Sequence, residues 1–253
     1  MILCVWLSPS GGLHGAEGRS DVNPKLAARA ILDSLPPHVL LVAAAKTRSA
    51  EEVKAAISAG VTAIGENYVQ EAEAVRGALA TWERAEAPRS VTWHLIGHLQ
   101  RNKARKAVEL FDLIETVDSL RIAEAIDRHC AELGKIMPIL VEVNSGRESN
   151  KTGVPPHEVE SLLEEIAELP KIRIRGLMTM GPRFGDPEEA RPYFAATKSL
   201  FDRLATKNDP RIQMESLSMG MSNTYELAVA EGANIVRIGT KLFGDRPSQR
   251  PDP

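Results

Sequence analysis

The stretch HVLLVAAAK (residues 38–46) has the pattern of a strand buried on both faces. By the period-two alternation of a strand, Leu40, Val42, Ala44 and Lys46 share one face, while Leu41, Ala43 and Ala45 share the other. Both faces are apolar up to the lysine, as in a parallel sheet covered by helices. Similar short runs recur along the chain: VTAIGEN (61–67), VTWHLIG (91–97), LIETVD (113–118), MPILVEVN (137–144), IRIRGLMTM (172–180), MESLSMG (214–220) and NIVRIGT (234–240). Amphipathic stretches separate them. SAEEVKAAISAG opens on a Ser49-x-x-Glu52 capping box and ends at Gly60. DSLRIAEAIDRHCAELG sets Leu120, Ala123, Ile126 and Leu133 near one face and stops at Gly134.

Parallel neighbours need helical crossovers, so this alternation predicts a parallel sheet. Closing eight strands gives a (β/α)8 TIM barrel, and the 253 residues match the usual size of about 250. An open doubly wound sheet is the alternative, but no G-x-G-x-x-G turn follows the first strand. The expected organisation is a flexible tail over 1–22, one barrel over 23–246 and a short C-terminal tail over 247–253. The Gly/Pro-rich stretch 180–192 reads as a βα loop over the barrel mouth.

Apolar residues make up 43 % of the chain, enough for a sizeable core. A net charge of −3 gives no global pointer to nucleic acid or an anionic membrane. The apolar run 1–7 is too short to cross a bilayer and has no basic segment before it, so the reading is a cytoplasmic protein outside the membrane. Cys4 and Cys130 stand apart from any metal-ligand spacing and read as free thiols; no metal site is expected.

In a parallel barrel the reactive groups sit where strands end. Lys46 at such an end is either an amine that reaches out to water or one held above a dry interior, able to attack an aldehyde. SMGMSNTYELAVAEG (218–232) and VRIGTKLFG (236–244) each lead from a strand through small residues into a helix. Backbone N–H groups at such entries suit a phosphate, and the loops after strands seven and eight are where barrels usually place one. The plainer readings are a near capping box at Asn223-x-x-Glu226 and a simple turn at Gly239. Arg237 interrupts an apolar strand and needs a partner. That partner is a structural carboxylate or, alternatively, a bound aromatic nitrogen, which an arginine would leave unprotonated.

A lysine imine, a phosphate cup and an arginine at a ring nitrogen together describe pyridoxal phosphate on a barrel of the alanine racemase N-terminal type. The chain closely resembles the YggS/PROSC family of pyridoxal-phosphate homeostasis proteins from about residue 38 to 246. The motifs that carry this are AAAKT (43–47), GENYVQEA (65–72), WHLIGHLQRNKAR (93–105), ETVDS (115–119), VEVN (141–144), NKTGV (150–154), RGLMTMGP (175–182), LSMGMS (217–222) and VRIGTKLFG (236–244). The resemblance implies that Lys46 forms the aldimine. Ser222, Gly239 and Thr240 would hold the phosphate, Arg237 would face the pyridine nitrogen, and Asn67 and His94 would line the pocket. Met219 and Met180 would pack beside it. The chain departs from the family at His98, where proline is common, and at Asn223-Thr224, where two acids are common. The family's first helix is shortened or diverged in 23–38.

A racemase needs a base on each face of the reacting carbon, and racemases of this fold take the second from a tyrosine of another domain. The chain ends soon after its eighth strand, so the expectation is a protein that binds pyridoxal 5′-phosphate and buffers it or hands it on, with no catalytic residues. Its role would be vitamin B6 homeostasis and amino-acid balance, with pyridoxal-phosphate-dependent apoenzymes as recipients and a monomeric state. The alternatives are a weak racemase-like enzyme and a cofactor-free barrel acting on a phosphorylated metabolite.

Overall fold

A computed structural model of the chain describes residues 22–86, 90–146, 152–181, 186–207 and 209–245. Eight parallel strands close into a barrel: β1 (Leu40–Ala44), β2 (Ala63–Glu66), β3 (Thr92–Leu95), β4 (Leu113–Val117), β5 (Met137–Val143), β6 (Ile172–Thr179), β7 (Ile212–Ser218) and β8 (Ile235–Ile238). Each pairs with its sequence neighbour, and β1 pairs with β8 with Val42 opposite Arg237. The strands expected from the sequence are all present, with ends trimmed by a residue or two and β7 starting two residues earlier.

The helices are α1 (Pro24–Ser34), α2 (Ala50–Ser58), α3 (Val69–Ala85), α4 (Ala104–Leu110), α5 (Leu120–Leu133), α6 (Val159–Ala167), α7 (Arg191–Ala205), α8 (Tyr225–Ala230) and α9 (Thr240–Phe243). Local chemistry sets their ends. Ser49 and Glu52 form the reciprocal capping box of α2, satisfying two donors that would otherwise be orphaned. Gly134 closes α5 in the left-handed conformation at φ 65°. In contrast, Asn223 caps nothing: α8 starts after Thr224, whose hydroxyl accepts from the Met221 N–H at 3.1 Å. Of the stretch 180–192, residues 182–185 lie outside the described residues, and Pro187–Ala190 form a 3-10 turn leading straight into α7. The tails assigned to 1–22 and 247–253, with Cys4, also lie outside them, apart from Val22.

Strand alternation sorts the side chains into two cores. Val42, Ala63, Leu113, Leu140, Met178 and Ile235 pack together inside the barrel. Leu41, Ala43, Ile64, Trp93, Leu95 and Val236 face outward and pack under the helices. Each buried Val, Leu, Ile or Met among them stabilises the fold by roughly 1.5–3 kcal/mol. The outer core carries more of them, so most of the stability resides between sheet and helices.

Gly176 is a hard constraint within this sheet. It holds φ 149°, and a Cβ there would stand 1.8 Å from the Ser216 carbonyl oxygen of β7. Gly176→Ala is expected to lower the unfolding free energy by more than about 3 kcal/mol, as read from urea denaturation.

Candidate functional site

The inward-facing residues change character toward the C-terminal end of the barrel. Above the apolar layer, His94, Glu115, Ser218 and Arg237 form one buried chain of hydrogen bonds. Glu115 Oε1 accepts from His94 Nδ1 at 2.7 Å, and Oε2 accepts from Ser218 Oγ at 2.6 Å. Arg237 donates to Ser218 Oγ through Nη1 and to the Thr179 carbonyl at 2.8 Å through Nη2. Its Nη1 lies 3.9 Å from Glu115 Oε2. Burial alone would push the Glu115 carboxyl up. The hydrogen bond from His94, the charges of His94 and Arg237, and the bond from Ser218 outweigh it and hold Glu115 below the usual carboxylate range. Burial pulls the Arg237 guanidinium down from its ordinary value, and the charges of Glu115 and Glu142 oppose the shift. An ionised Glu115 accepts only, so His94 Nδ1 carries the proton in their bond.

Through Arg237 this layer reaches a cavity of about 380 Å³ at the barrel mouth. Lys46, Asn67, Ser222, Arg237, Gly239 and Thr240 all line it, and so does Met180. The structure thus brings together six of the eight residues expected to hold a cofactor. His94 does not line the cavity: it is 4 % exposed and hydrogen-bonded to Glu115. Met219 does not reach it either. In β7 it is Ser218 that points inward, so by alternation Met219 faces the outer core, fully buried.

Lys46 extends the inward face of β1 two residues past Ala44. Its Nζ lies 3.3 Å from the Tyr68 hydroxyl and 4.8 Å from the centre of that ring. The chain then turns sharply: Thr47 holds φ 64°, and its N–H donates to Glu71 at 3.1 Å. A β-branched residue in that conformation costs roughly 1–3 kcal/mol, and such strain clusters at functional sites. Arg48 bonds the Phe243 and Gly244 carbonyls, tying the end of β1 to α9. On the opposite wall, Ser222 Oγ accepts from the N–H groups of Gly239 and Lys241 at 3.2 and 3.3 Å. The described lining holds three cations, Lys46, Arg48 and Arg237, and no carboxylate. Such a cavity attracts an anion.

Glu66 lies just outside. Gly65 faces inward, since a Cβ there would strike Val42 and Ile96, so Glu66 points into the outer core. It is fully buried, and neither carboxyl oxygen has a hydrogen-bond partner. Burial, with the Glu71 charge nearby, pushes it up to about 8, opposed in part by the Asn67 backbone amide. Cys130 is buried and free, its thiol pushed up to about 11 by burial, so it forms no reactive pair with His129. Among the described residues no three His, Cys, Asp or Glu side chains group as a metal site, and no helix is long and apolar enough to cross a membrane.

Sequence reasoning missed Glu115 and Ser218. The signal was present: Glu115 in LIETVD shares a face with Leu113, and an unexplained arginine interrupts another strand of the same barrel.

A closed parallel barrel with a lysine at the end of its first strand defines a protein of the alanine racemase N-terminal class, and a profile of the family described as "Alanine racemase, N-terminal domain" matches residues 28–247. Within that class, the chain belongs to the pyridoxal phosphate homeostasis family. It is 37 % identical to the pyridoxal phosphate homeostasis protein of Aquifex aeolicus, over 81 % of this chain and 86 % of the relative. It is 38 % identical to that of Escherichia coli K12, over 83 % and 87 %. PipY of Synechococcus elongatus, solved with PLP bound, superposes with a TM-score of 0.78 at 38 % identity, over 87 % of this chain and 100 % of PipY. An alanine racemase of Clostridium difficile shares the fold, with a TM-score of 0.69 at 18 % identity, over 90 % of this chain and 57 % of the racemase.

Two variants test the electrostatics. Glu115→Ala leaves Arg237 buried without its carboxylate and is expected to cost about 3–5 kcal/mol of stability in chemical denaturation. Glu66 acts in the opposite sense. Below its ordinary value near 4.5 it is protonated folded or unfolded; between there and about 8 the folded chain keeps a proton that the unfolded chain loses. Stability therefore falls as pH rises across that window. Glu66→Gln is expected to match the parent near pH 4.5 and to exceed it by on the order of 4 kcal/mol above pH 8, measured by urea melts across pH.

Proposed function

We propose that the cavity binds pyridoxal 5′-phosphate and that the chain serves in its homeostasis rather than in turnover of a substrate. The observation that carries this is the cavity's described lining: three cations, one of them the Lys46 amine at the end of β1, and no carboxylate. The residues fit the group. Ser222 Oγ, held by the N–H groups of Gly239 and Lys241, keeps its own hydroxyl proton to donate to a phosphate oxygen. Thr240 adds a hydroxyl and Asn67 an amide. When bound, pyridoxal phosphate supplies an aldehyde that an amine can condense with and a ring that withdraws electrons. Lys46 is the amine placed for that condensation. Arg237, held by Thr179, Ser218 and the charge of Glu115, cannot readily give up a proton. Arg237 would keep a ring nitrogen that faced it unprotonated, and such a ring would withdraw electrons weakly. That disfavours carbanion chemistry.

Tyr68 bears on the racemase-like reading, because its phenol is beside Lys46. Two bases that attack one carbon from opposite faces must hold that carbon between them. A separation of 3.3 Å between Lys46 Nζ and the Tyr68 oxygen leaves no room for it. The Tyr225 hydroxyl is engaged by Glu226 and Lys241. This geometry supports a carrier or buffer over an enzyme. We propose that it acts as a monomeric barrel over 23–246 in the cytoplasm, with apoenzymes as recipients.

The expected result with purified protein is a yellow absorbance band that borohydride bleaches, leaving a pyridoxyl group on Lys46 in peptide mapping. Lys46→Ala is expected to lose both band and label while keeping the parent's melting temperature within a few degrees. A colourless protein that stays unlabelled in excess pyridoxal phosphate overturns the reading.

A further inference from the structure

Lys46 borders a second chamber. Lys46, Asn67, Ile96 and Met180 form the partition, and beyond them the mouth opens into a cavity of about 530 Å³, within the size range of small-molecule sites. Its character differs from that of the first cavity. Glu142, which alternates with Leu140 on the inward face of β5, lines it. Glu142 is 2 % exposed; Oε1 accepts from Thr152 Oγ1 at 2.6 Å, and Oε2 has no partner. A buried carboxyl oxygen without a donor is costly, and a ligand that brings one relieves that cost. Lys103, from the 3-10 turn Arg101–Lys103, lines the same chamber. Among the described residues it makes no ion pair, whereas the next cations, Arg105 and Lys106, are paired with Glu109, Glu132 and Glu73. His98 and Asp118, at 3.6 Å, supply each other's partner. Lys46 has only the Tyr68 phenol at 3.3 Å, so among the described residues Glu142, Lys103 and Lys46 are the lining charges without an ion pair.

We propose that this second chamber binds a free α-amino acid as its zwitterion, with the ammonium on Glu142 and the carboxylate on Lys103. A single-charge ligand satisfies open groups of one sign only; an α-amino acid carries both charges on a small frame. Neither Glu142 nor Lys103 lines the first cavity, so the inference does not rest on pyridoxal phosphate binding. It places an amino acid next to the Lys46 amine.

The test is calorimetric titration of the cofactor-free protein with L-alanine and L-serine, and with propionate and ethylamine as one-charge controls. The expected result is saturable binding of the amino acids, with each control weaker by about tenfold or more, a difference of about 1.4 kcal/mol. Glu142→Gln keeps an acceptor for Thr152 but loses the charge. It and Lys103→Met are each expected to weaken amino-acid binding about tenfold or more, with thermal melts checking the fold. Should Glu142→Gln not fold, Lys103→Met and the one-charge controls decide. Absence of amino-acid binding, equal binding of alanine and propionate, or full binding by folded variants overturns the proposal. Labelling of Lys46 by pyridoxal phosphate and borohydride, run on the same preparation, reads the first cavity separately. A labelled protein that binds no amino acid overturns this inference alone.

Discussion

A closed parallel barrel has a single interior, and every second residue of each strand must enter it. That constraint orders the rest of the molecule. Deep in the barrel the entering residues are Val42, Ala63, Leu113, Leu140, Met178 and Ile235, and they make a dry layer. One step toward the strand ends they become His94, Glu115, Glu142, Ser218 and Arg237, all buried. One step further they become Lys46, Asn67 and Gly239, and the interior opens to solvent. Polarity thus rises in layers along the barrel axis, and the cavity is where the layering reaches the surface.

The middle layer is also where charge is managed. Glu115 and Arg237 are both inside, and each is tolerable because the other is there, with Ser218 between them. The Glu115 carboxyl remains ionised because four separate influences oppose its burial. Glu66 has no such company and sits on the other side of the same sheet, so burial prevails there. Two buried glutamates in one barrel shift in opposite directions: Glu115 has donors and positive charges against its burial, whereas Glu66 has the Glu71 charge nearby and only the Asn67 amide in opposition.

Much of this was legible in the sequence. The eight apolar runs placed the strands, because parallel strands covered by helices read as unbroken hydrophobic segments. That Leu40, Val42, Ala44 and Lys46 share a face followed from period two alone; that this face points inward came with the closed barrel. Met219 and His94 show the limit. The motif LSMGMS draws attention to its methionines, yet only the pairing of β7 with its neighbours reveals that Ser218 is the residue that faces in. His94 faces in, but Glu115 from the next strand stands against it, and a contact between strands does not appear in the periodicity of either. The second chamber was out of reach for the same reason: Lys103, Glu142 and Tyr68 are far apart in sequence and meet only at the mouth.

The pairing of β1 with β8, fastened by Arg48 on the carbonyls of Phe243 and Gly244, joins the two extremes of the described chain. Lys46 belongs to one extreme; Ser222, Arg237 and Gly239 belong to the other. During synthesis the amine therefore emerges from the ribosome long before the rest of the cavity is made. A nascent chain of six or seven strands has an exposed lysine at a sheet edge and no pocket around it. Site assembly and barrel closure are the same event, so a chain that has not finished folding does not yet possess the cavity.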